Sequence, residues 1–236
     1  RRLGAFALQR AARKIPPSTS LCITLWPVSA GQDLTWLAAE VAGALEAFGS
    51  AGVLAASDYD AAERPLQLIA DAELAFEQVI LLADFEESPW TRACLRHADR
   101  VVQVGQGFEA VPSALRSGMH TLISGDTTTT ASRHLVLMQR EGVRTATGTL
   151  AWLEHFAVDS HHHVREGNQA DASRAARLIA GLGVGLAFGG ASSRGVAHVG
   201  VIRAFRERGV AIDAVSGCSS GVGAALGVAL ELSHDE

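Results

Sequence analysis

Continuous apolar segments alternate with helical patterns over residues 18–165, and this alternation limits the fold more than any other feature. Within these segments polar and apolar residues do not alternate, so both faces of each strand are expected to be buried. Between them, apolar residues recur at the i, i+3 and i+4 spacing of amphipathic helices. The pattern predicts an α/β domain with a parallel sheet covered on both faces, Rossmann-like or P-loop-like in shape. The strands are expected at 21–26, 52–56, 78–84, 100–105, 133–139 and 161–165.

Three further segments complete the expected organisation. Residues 1–17 form a short basic amphipathic pattern closed by two prolines, which we interpret as a linker helix; contact with anionic lipid is the less favoured alternative. Residues 166–182 predict a connecting helix. Residues 183–236 begin a second α/β unit with about two strands and two helices, too few to cover their own sheet.

Composition excludes several classes of protein. Apolar residues make up 48% of the 236 residues and charged residues 19%, which excludes a disordered chain. The net charge of −5 argues against a general nucleic-acid binder, which would show a basic face. The three cysteines, Cys22, Cys94 and Cys218, have no zinc-ligand spacing and stand in apolar contexts, so we expect buried free thiols.

Two features of the first domain suggest ligand sites that we consider weak. The segment 26–36 lies where a phosphate loop would lie, between a first strand and a first helix, but it lacks the Gly-Lys-Ser/Thr that grips phosphate and Mg²⁺. Nucleotide binding is therefore the less favoured interpretation, and Asp33 is expected to cap the helix. In the run His161 to His163 alternate side chains face opposite sides of a strand, so a structural or exposed role is favoured over metal binding.

A small-residue loop opens the second unit. The segment from Gly189 to Gly195 follows a strand and begins a helix, so its backbone N–H groups carry the positive end of the helix dipole. Such a loop can hold a phosphate or a developing oxyanion. Close packing of strand against helix explains the small residues nearly as well.

A second motif in the same unit favours hydrolysis. Gly217, Ser219 and Gly221 form Gly-x-Ser-x-Gly between a strand and a helix, the sequence of a nucleophile elbow. The glycines relieve crowding around a strained serine. The N–H of Ser220 and those of the preceding glycine loop could then stabilise an oxyanion. The pairing of these two units predicts that Ser219 is a nucleophile.

Both halves of the chain resemble one known family. The segment "GLAFGGASSRGVAHVGVIRAFRERGVAIDAVSGCSSGVGAALGVAL" resembles the opening of a patatin-like phospholipase domain. The segments "SPWTRACLRHADRVVQVG", "HLVLMQREG" and "HHHVREGNQADASRAARLIAG" resemble the region before the catalytic domain in bacterial relatives of neuropathy target esterase. The resemblance implies that 183–236 is the first βαβα portion of a patatin-like α/β hydrolase domain.

The resemblance also implies an activity. It suggests a serine esterase or lysophospholipase with a Ser–Asp dyad, no histidine base and no cofactor, acting on a phospholipid or lysophospholipid. It further implies a cytoplasmic protein that lies peripherally on membranes, with a cyclic-nucleotide-binding domain upstream. Ser219 matches the family's nucleophile. The residues that match its oxyanion loop are Gly189, Gly190, Ala191, Arg194 and Gly195.

Two departures from the family pattern limit this prediction. Ala191 stands where the family has its third glycine, so the loop is strained if that position needs a positive φ. The family's dyad aspartate lies in a downstream Asp-Gly, and residues 1–236 contain no Asp-Gly. We therefore expect these residues to be inactive by themselves. The alternative is an inactive regulatory or lipid-binding module.

Other residues are weaker candidates for the base. His198 stands in the helix after the glycine loop and is read as a packing residue. Asp213 precedes the elbow strand and is read as a turn residue that fixes it. His234 and Asp235 follow the elbow helix too closely to fold back onto Ser219. Cys218 is expected on the opposite side of the elbow, as a small core residue.

Overall fold

The computed structural model describes residues 20–58, 65–112 and 131–232. The linker helix expected at 1–17 lies outside these ranges. The chain divides between Ala180 and Gly181 into two compact units. Within the part of the chain that the structure describes, no helix has both the length and the apolar character needed to cross a membrane.

The first unit contains one six-stranded sheet in which every neighbouring pair of strands is parallel. The strand order is β2-β3-β1-β4-β5-β6. The α/β fold with a parallel, Rossmann-like or P-loop-like sheet is therefore confirmed. The strands are β1 (Leu21–Pro27), β2 (Ala51–Ala55), β3 (Gln78–Leu82), β4 (Arg100–Gln106), β5 (Ser132–Gln139) and β6 (Ser160–Arg165).

Five α-helices of the first unit are described, and they connect or follow these strands. The start of the helix Pro89–His97 shows how the sequence defines a boundary. The Ser88 hydroxyl accepts a hydrogen bond from the Thr91 N–H, and Pro89 occupies the first helical position. The helices are α1 (Thr35–Leu45), α2 (Pro65–Ala75), α3 (Pro89–His97), α4 (Thr149–Leu153) and α5 (Gln169–Ile179).

The central strands explain why their sequences lack alternation. All but the first residue of β1 and all but the last of β3 are buried, because helices cover both faces. Strand β1 lies between β3 and β4. From β1 the chain continues to β2, towards one edge of the sheet, and from β4 it continues to β5, towards the other edge. The carboxyl ends of β1 and β4 thus form a switch point, the usual place for a ligand in such sheets.

Helix α5, predicted as a connector, packs against α1 within the first unit. Asn168 caps it by accepting from the Asp171 N–H. The Asp171 carboxylate also accepts two hydrogen bonds from the Arg165 guanidinium, at 2.6 and 2.9 Å, which lower the pKa of Asp171. The domain boundaries expected from the sequence, at 165 and 182, stay a prediction beside this division at Ala180.

The second unit has two parallel strands, β7 (Gly185–Phe188) and β8 (Ala214–Gly217), and two helices, α6 (Ala197–Glu207) and α7 (Gly221–Ala229). A 3-10 turn, Ser192–Val196, leads into α6. Buried Asp213 fixes the start of the two strands: its carboxylate accepts from the Val184 N–H at 2.9 Å, and its own N–H donates to the Val184 carbonyl. The interpretation of Asp213 as a strand-fixing residue is confirmed.

Candidate active site

Ser219 lies in the turn between β8 and α7, and it is exposed. Its φ of +53° is in the left-handed region, where a non-glycine residue costs about 1–3 kcal/mol and persists only if its surroundings impose it. Three backbone bonds impose it here: Cys218 N–H to the Phe188 carbonyl, Gly221 N–H to the Cys218 carbonyl and Val222 N–H to the Ser219 carbonyl. The turn therefore holds the Ser219 side chain open to solvent.

The two glycines of the motif allow a close approach of backbones. A Cβ on Gly217 would lie 2.6 Å from the Gly221 carbonyl oxygen. A Cβ on Gly221 would overlap the Phe188 carbonyl oxygen and lie 2.7 Å from its carbon. In both cases the obstructing atoms belong to the backbone, so they cannot rotate out of the way of the added Cβ. Glycine is required at both positions for α7 to begin directly against β7 and β8.

The glycine loop lies directly against this turn. A Cβ on Gly190 would be 3.0 Å from the Ser219 Cβ and 3.6 Å from its Oγ. A Cβ on Gly195 would be 2.8 Å from the Ser220 Oγ, and the Ala191 N–H donates to that same oxygen at 3.0 Å. The structure thus brings together the loop and the serine that the sequence singled out separately.

Two backbone donors beside Ser219 are free. Within the described residues, no group accepts a hydrogen bond from the N–H of Gly190 or of Ser220. Both belong to residues that contact the Ser219 turn or form part of it. Free N–H groups at such a place can receive the negative charge of a tetrahedral intermediate.

Ala191 is not strained, and its N–H is not free. Its φ is −141°, which an alanine adopts, while the neighbouring Ser192 has the positive φ of +51°. Because the Ala191 N–H donates to Ser220 Oγ, it orders the loop instead of facing a substrate. Arg194 is exposed in the 3-10 turn, and its backbone N–H donates to the Ala191 carbonyl at 3.0 Å.

His198 contacts the loop in a way that sequence reasoning missed. Its Nε2 lies 2.9 Å from the Gly189 carbonyl oxygen, and its ring meets Phe188 edge-on with centroids 5.2 Å apart. A trans peptide directs its C=O and N–H to opposite sides, so a bond that holds the Gly189 carbonyl also aims the Gly190 N–H. The only sequence signal is the placement of His198 near the start of α6, within reach of the preceding loop.

Among the described residues, none forms a hydrogen bond with the Ser219 Oγ; the side-chain bonds of the loop go to Ser220 Oγ and to the Gly189 carbonyl. Asp213 precedes β8 and Ser219 follows it, so the whole strand separates them. His234 and Asp235, which we considered and rejected, lie outside the described residues.

The cysteines behave as predicted at two of three positions. Cys22 and Cys94 are buried free thiols, and burial raises their pKa well above the usual range. Cys218 is exposed, so the prediction that it is a core residue is wrong. The cause is its place in the turn between β8 and α7, outside any packed layer.

Two residues of the histidine run, His162 and His163, take part in hydrogen bonds between side chains. The Ser160 hydroxyl lies 2.7 Å from His134 Nδ1 and 2.9 Å from His162 Nε2. His163 contacts Gln139 and Thr149, both at 3.2 Å. Searching the described residues finds no group of three His, Cys, Asp or Glu able to hold a metal ion.

This network predicts a loss of stability in acid. Burial, reinforced by the positive charges of His134 and Arg174, lowers the pKa of His162 from 6.5 to about 4. Between these two pKa values the unfolded chain binds a proton at His162 that the folded chain does not bind. The contribution of His162 to the free energy of unfolding is therefore fully present above pH 6.5 and is lost as the pH falls towards 4. This difference in the pKa of His162 corresponds to about 3 kcal/mol.

Urea unfolding of the chain between pH 7.5 and 4.5 measures this effect. We expect His162→Gln to flatten the decline, and His155→Gln, a change at a half-buried histidine outside this network, to leave it unchanged. An unfolding free energy that stays level or rises as the pH falls would contradict the prediction.

The comparison with protein families shows to which family the chain belongs. The model of the Neuropathy Target Esterase family P-loop like domain matches residues 20–184, which is most of the chain and includes the whole parallel sheet. The chain belongs to the Neuropathy Target Esterase family. The resemblance inferred from the sequence is therefore confirmed.

Relatives in this family are named as lipid hydrolases. The chain is 32% identical to patatin-like phospholipase domain-containing protein ZK370.4 of Caenorhabditis elegans, over 63% of the chain and 14% of that protein. It is 29% identical to human patatin-like phospholipase domain-containing protein 6, over 87% and 17%, and to lysophospholipase NTE1 of Mycosarcoma maydis, over 65% and 11%. The chain thus spans less than a fifth of these relatives. No solved structure is significantly similar to it.

Proposed function

We propose that this Neuropathy Target Esterase family protein is a lipid acyl hydrolase whose nucleophile is Ser219. The observation that carries the proposal is the exposed Ser219 at φ +53°, beside the free N–H groups of Gly190 and Ser220. The names of the relatives, phospholipase and lysophospholipase, support the same chemistry.

In the proposed reaction the Ser219 Oγ attacks the ester carbonyl carbon. A carboxylate takes the hydroxyl proton, and the carbonyl electron pair moves to its oxygen. The Gly190 and Ser220 N–H groups hold that oxyanion, an effect of about 3–4 kcal/mol for each donor. The alcohol leaves with the proton, and water then releases the fatty acid from the acyl-serine. By the resemblance, the carboxylate is an aspartate outside residues 1–236, so Ser219 and this aspartate form the dyad.

The proposed substrate is a phospholipid or lysophospholipid, reached at a membrane surface by a cytoplasmic, peripherally bound protein. No step of the reaction as written needs a metal or organic cofactor. The cyclic-nucleotide-binding domain implied upstream stays a prediction.

Hydrolysis of a chromogenic short-chain ester tests the proposal. We expect no turnover by residues 1–236 alone and measurable turnover by the full-length protein. Turnover by residues 1–236 would contradict the proposal that the base for Ser219 lies outside these residues. Absence of turnover by a folded full-length protein, on this ester and on lysophospholipid micelles, would favour the alternative of an inactive regulatory or lipid-binding module.

Replacing His198 tests how the loop is held. In the full-length protein we expect His198→Ala to lower kcat about 10–100-fold with little change in KM, because the Gly190 N–H loses its aim while the substrate contacts remain. His198→Gln, which keeps an N–H donor, should recover part of the loss. Arg203→Ala, on the same helix, is the control. A loss confined to KM would contradict the positioning role.

A further inference from the structure

The side chain of Ser220 connects the glycine loop to the turn that carries Ser219. Its Oγ accepts a hydrogen bond from the Ala191 N–H at 3.0 Å. A Cβ on Gly195 would lie 2.8 Å from this Oγ and 3.0 Å from the Ser220 Cβ, so the serine side chain also lies directly against Gly195. The proposed reaction uses the backbone N–H of Ser220 but gives its hydroxyl no part.

Gly190 lies between two peptide groups, and a side chain holds each of them. His198 Nε2 lies 2.9 Å from the Gly189 carbonyl oxygen, which belongs to the peptide before Gly190. The Ala191 N–H, which donates to Ser220 Oγ, belongs to the peptide after Gly190. Because each peptide is planar, only φ and ψ of Gly190 can change between the two held groups. The two side chains together therefore fix both of these angles.

This restraint matters because the residue between the two peptides is a glycine close to the reacting oxygen. A Cβ on Gly190 would lie 3.6 Å from the Ser219 Oγ. Glycine has a wider range of φ and ψ than any other residue, so its N–H has no fixed direction of its own. A donor stabilises an oxyanion only if it already points to the place where the charge develops. With Ser220 in place, any change of φ at Gly190 must also break the bond to the Ala191 N–H.

We propose that the Ser220 hydroxyl is a positioning group of the hydrolysis, which acts through the loop and together with His198 to aim the Gly190 N–H. This role rests on the proposed function, since it takes the Gly190 N–H as a donor to the oxyanion. Replacing the side chain of Ser220 leaves its backbone N–H in place. Side-chain variants therefore separate the positioning role of Ser220 from its role as a donor.

Steady-state kinetics of the full-length protein test the role. We expect Ser220→Ala to lower kcat about 5–50-fold and to change KM less than about twofold, because the donor is misdirected while the substrate is still bound. Gly195→Ala should lower kcat in the same way, since its Cβ would push the Oγ away from the Ala191 N–H. Ser216→Ala is the control. An unchanged kcat in Ser220→Ala would overturn the proposal.

The double variant of His198→Ala with Ser220→Ala tests whether the two side chains restrain one residue. Substitutions that act independently multiply their effects on the rate, whereas substitutions that release the same group do not. We expect the double variant to lose no more than about threefold beyond the larger single loss. A loss equal to the product of the two single losses would show separate roles and overturn the proposal.

Nitrogen-15 relaxation of the Gly190 amide in residues 1–236 tests the restraint without any turnover. We expect an order parameter near the roughly 0.85 of rigid backbone, falling towards about 0.6 in Ser220→Ala and in His198→Ala. Unchanged order in Ser220→Ala would overturn the positioning role even if Ser219→Ala abolishes hydrolysis. A fall in order without turnover by the full-length protein would instead contradict the proposed function and support the restraint on Gly190.

Discussion

Replacing Ser219 with alanine in the full-length protein is expected to lower ester hydrolysis at least about 10⁴-fold. The reason is that the attacking oxygen is removed, and no other step of the proposed reaction can compensate; loss of a serine nucleophile in hydrolases has effects of this size or larger. The residual rate would come from binding and from the Gly190 and Ser220 N–H groups. The measurement is kcat/KM on a chromogenic ester and on lysophospholipid.

The matched control is Ser216→Ala, an exposed serine on β8 just before the turn. We expect it to keep activity within about threefold, because the hydroxyl that it removes takes no part in the proposed reaction. If Ser219→Ala retained a tenth of the activity or more, Ser219 would not be the nucleophile.

Replacing Gly221 with alanine is expected to destabilise the second unit by about 3 kcal/mol. The added Cβ would overlap the Phe188 carbonyl, so α7 must move away from β7 or the turn must open. Since all four tryptophans precede the second unit, their fluorescence does not report on it. Hydrogen exchange of the amides in residues 214–229 is the appropriate measurement, and we expect it to become faster.

The same helix offers controls for this substitution. Cβ atoms on Gly223 and Gly227 would have no neighbour within 4 Å. We therefore expect Gly223→Ala and Gly227→Ala to stabilise α7 by up to about 1 kcal/mol each, through higher helix propensity. Slower exchange in these two variants with faster exchange in Gly221→Ala would support the close contact of α7 with β7. Equal behaviour of all three would contradict it.

The sequence predicted the parallel sheet because burial on both faces leaves a pattern in each strand. Strands β1 and β3 are continuous apolar runs, and only covered parallel strands need such runs. It did not predict that β1 lies between β3 and β4. Strand neighbours depend on packing between distant elements, and nothing in a single strand specifies them.

At the candidate site, the sequence predicted which residues come together but not how they are held. Gly217, Ser219 and Gly221 carry a motif whose spacing follows from the geometry of a sharp turn. The bond between His198 and the Gly189 carbonyl has no spacing rule of its own, and neither does the bond between the Ala191 N–H and Ser220. Both depend on the position of α6 and α7 relative to the loop.

The most direct test of the central claim is to find where a serine-directed phosphonate forms its covalent adduct. The full-length protein is incubated with the probe, digested and analysed by mass spectrometry. Our account predicts a single adduct on the peptide that contains Ser219, and no adduct in Ser219→Ala. Labelling that persists in that variant, or an adduct on another serine, would contradict it.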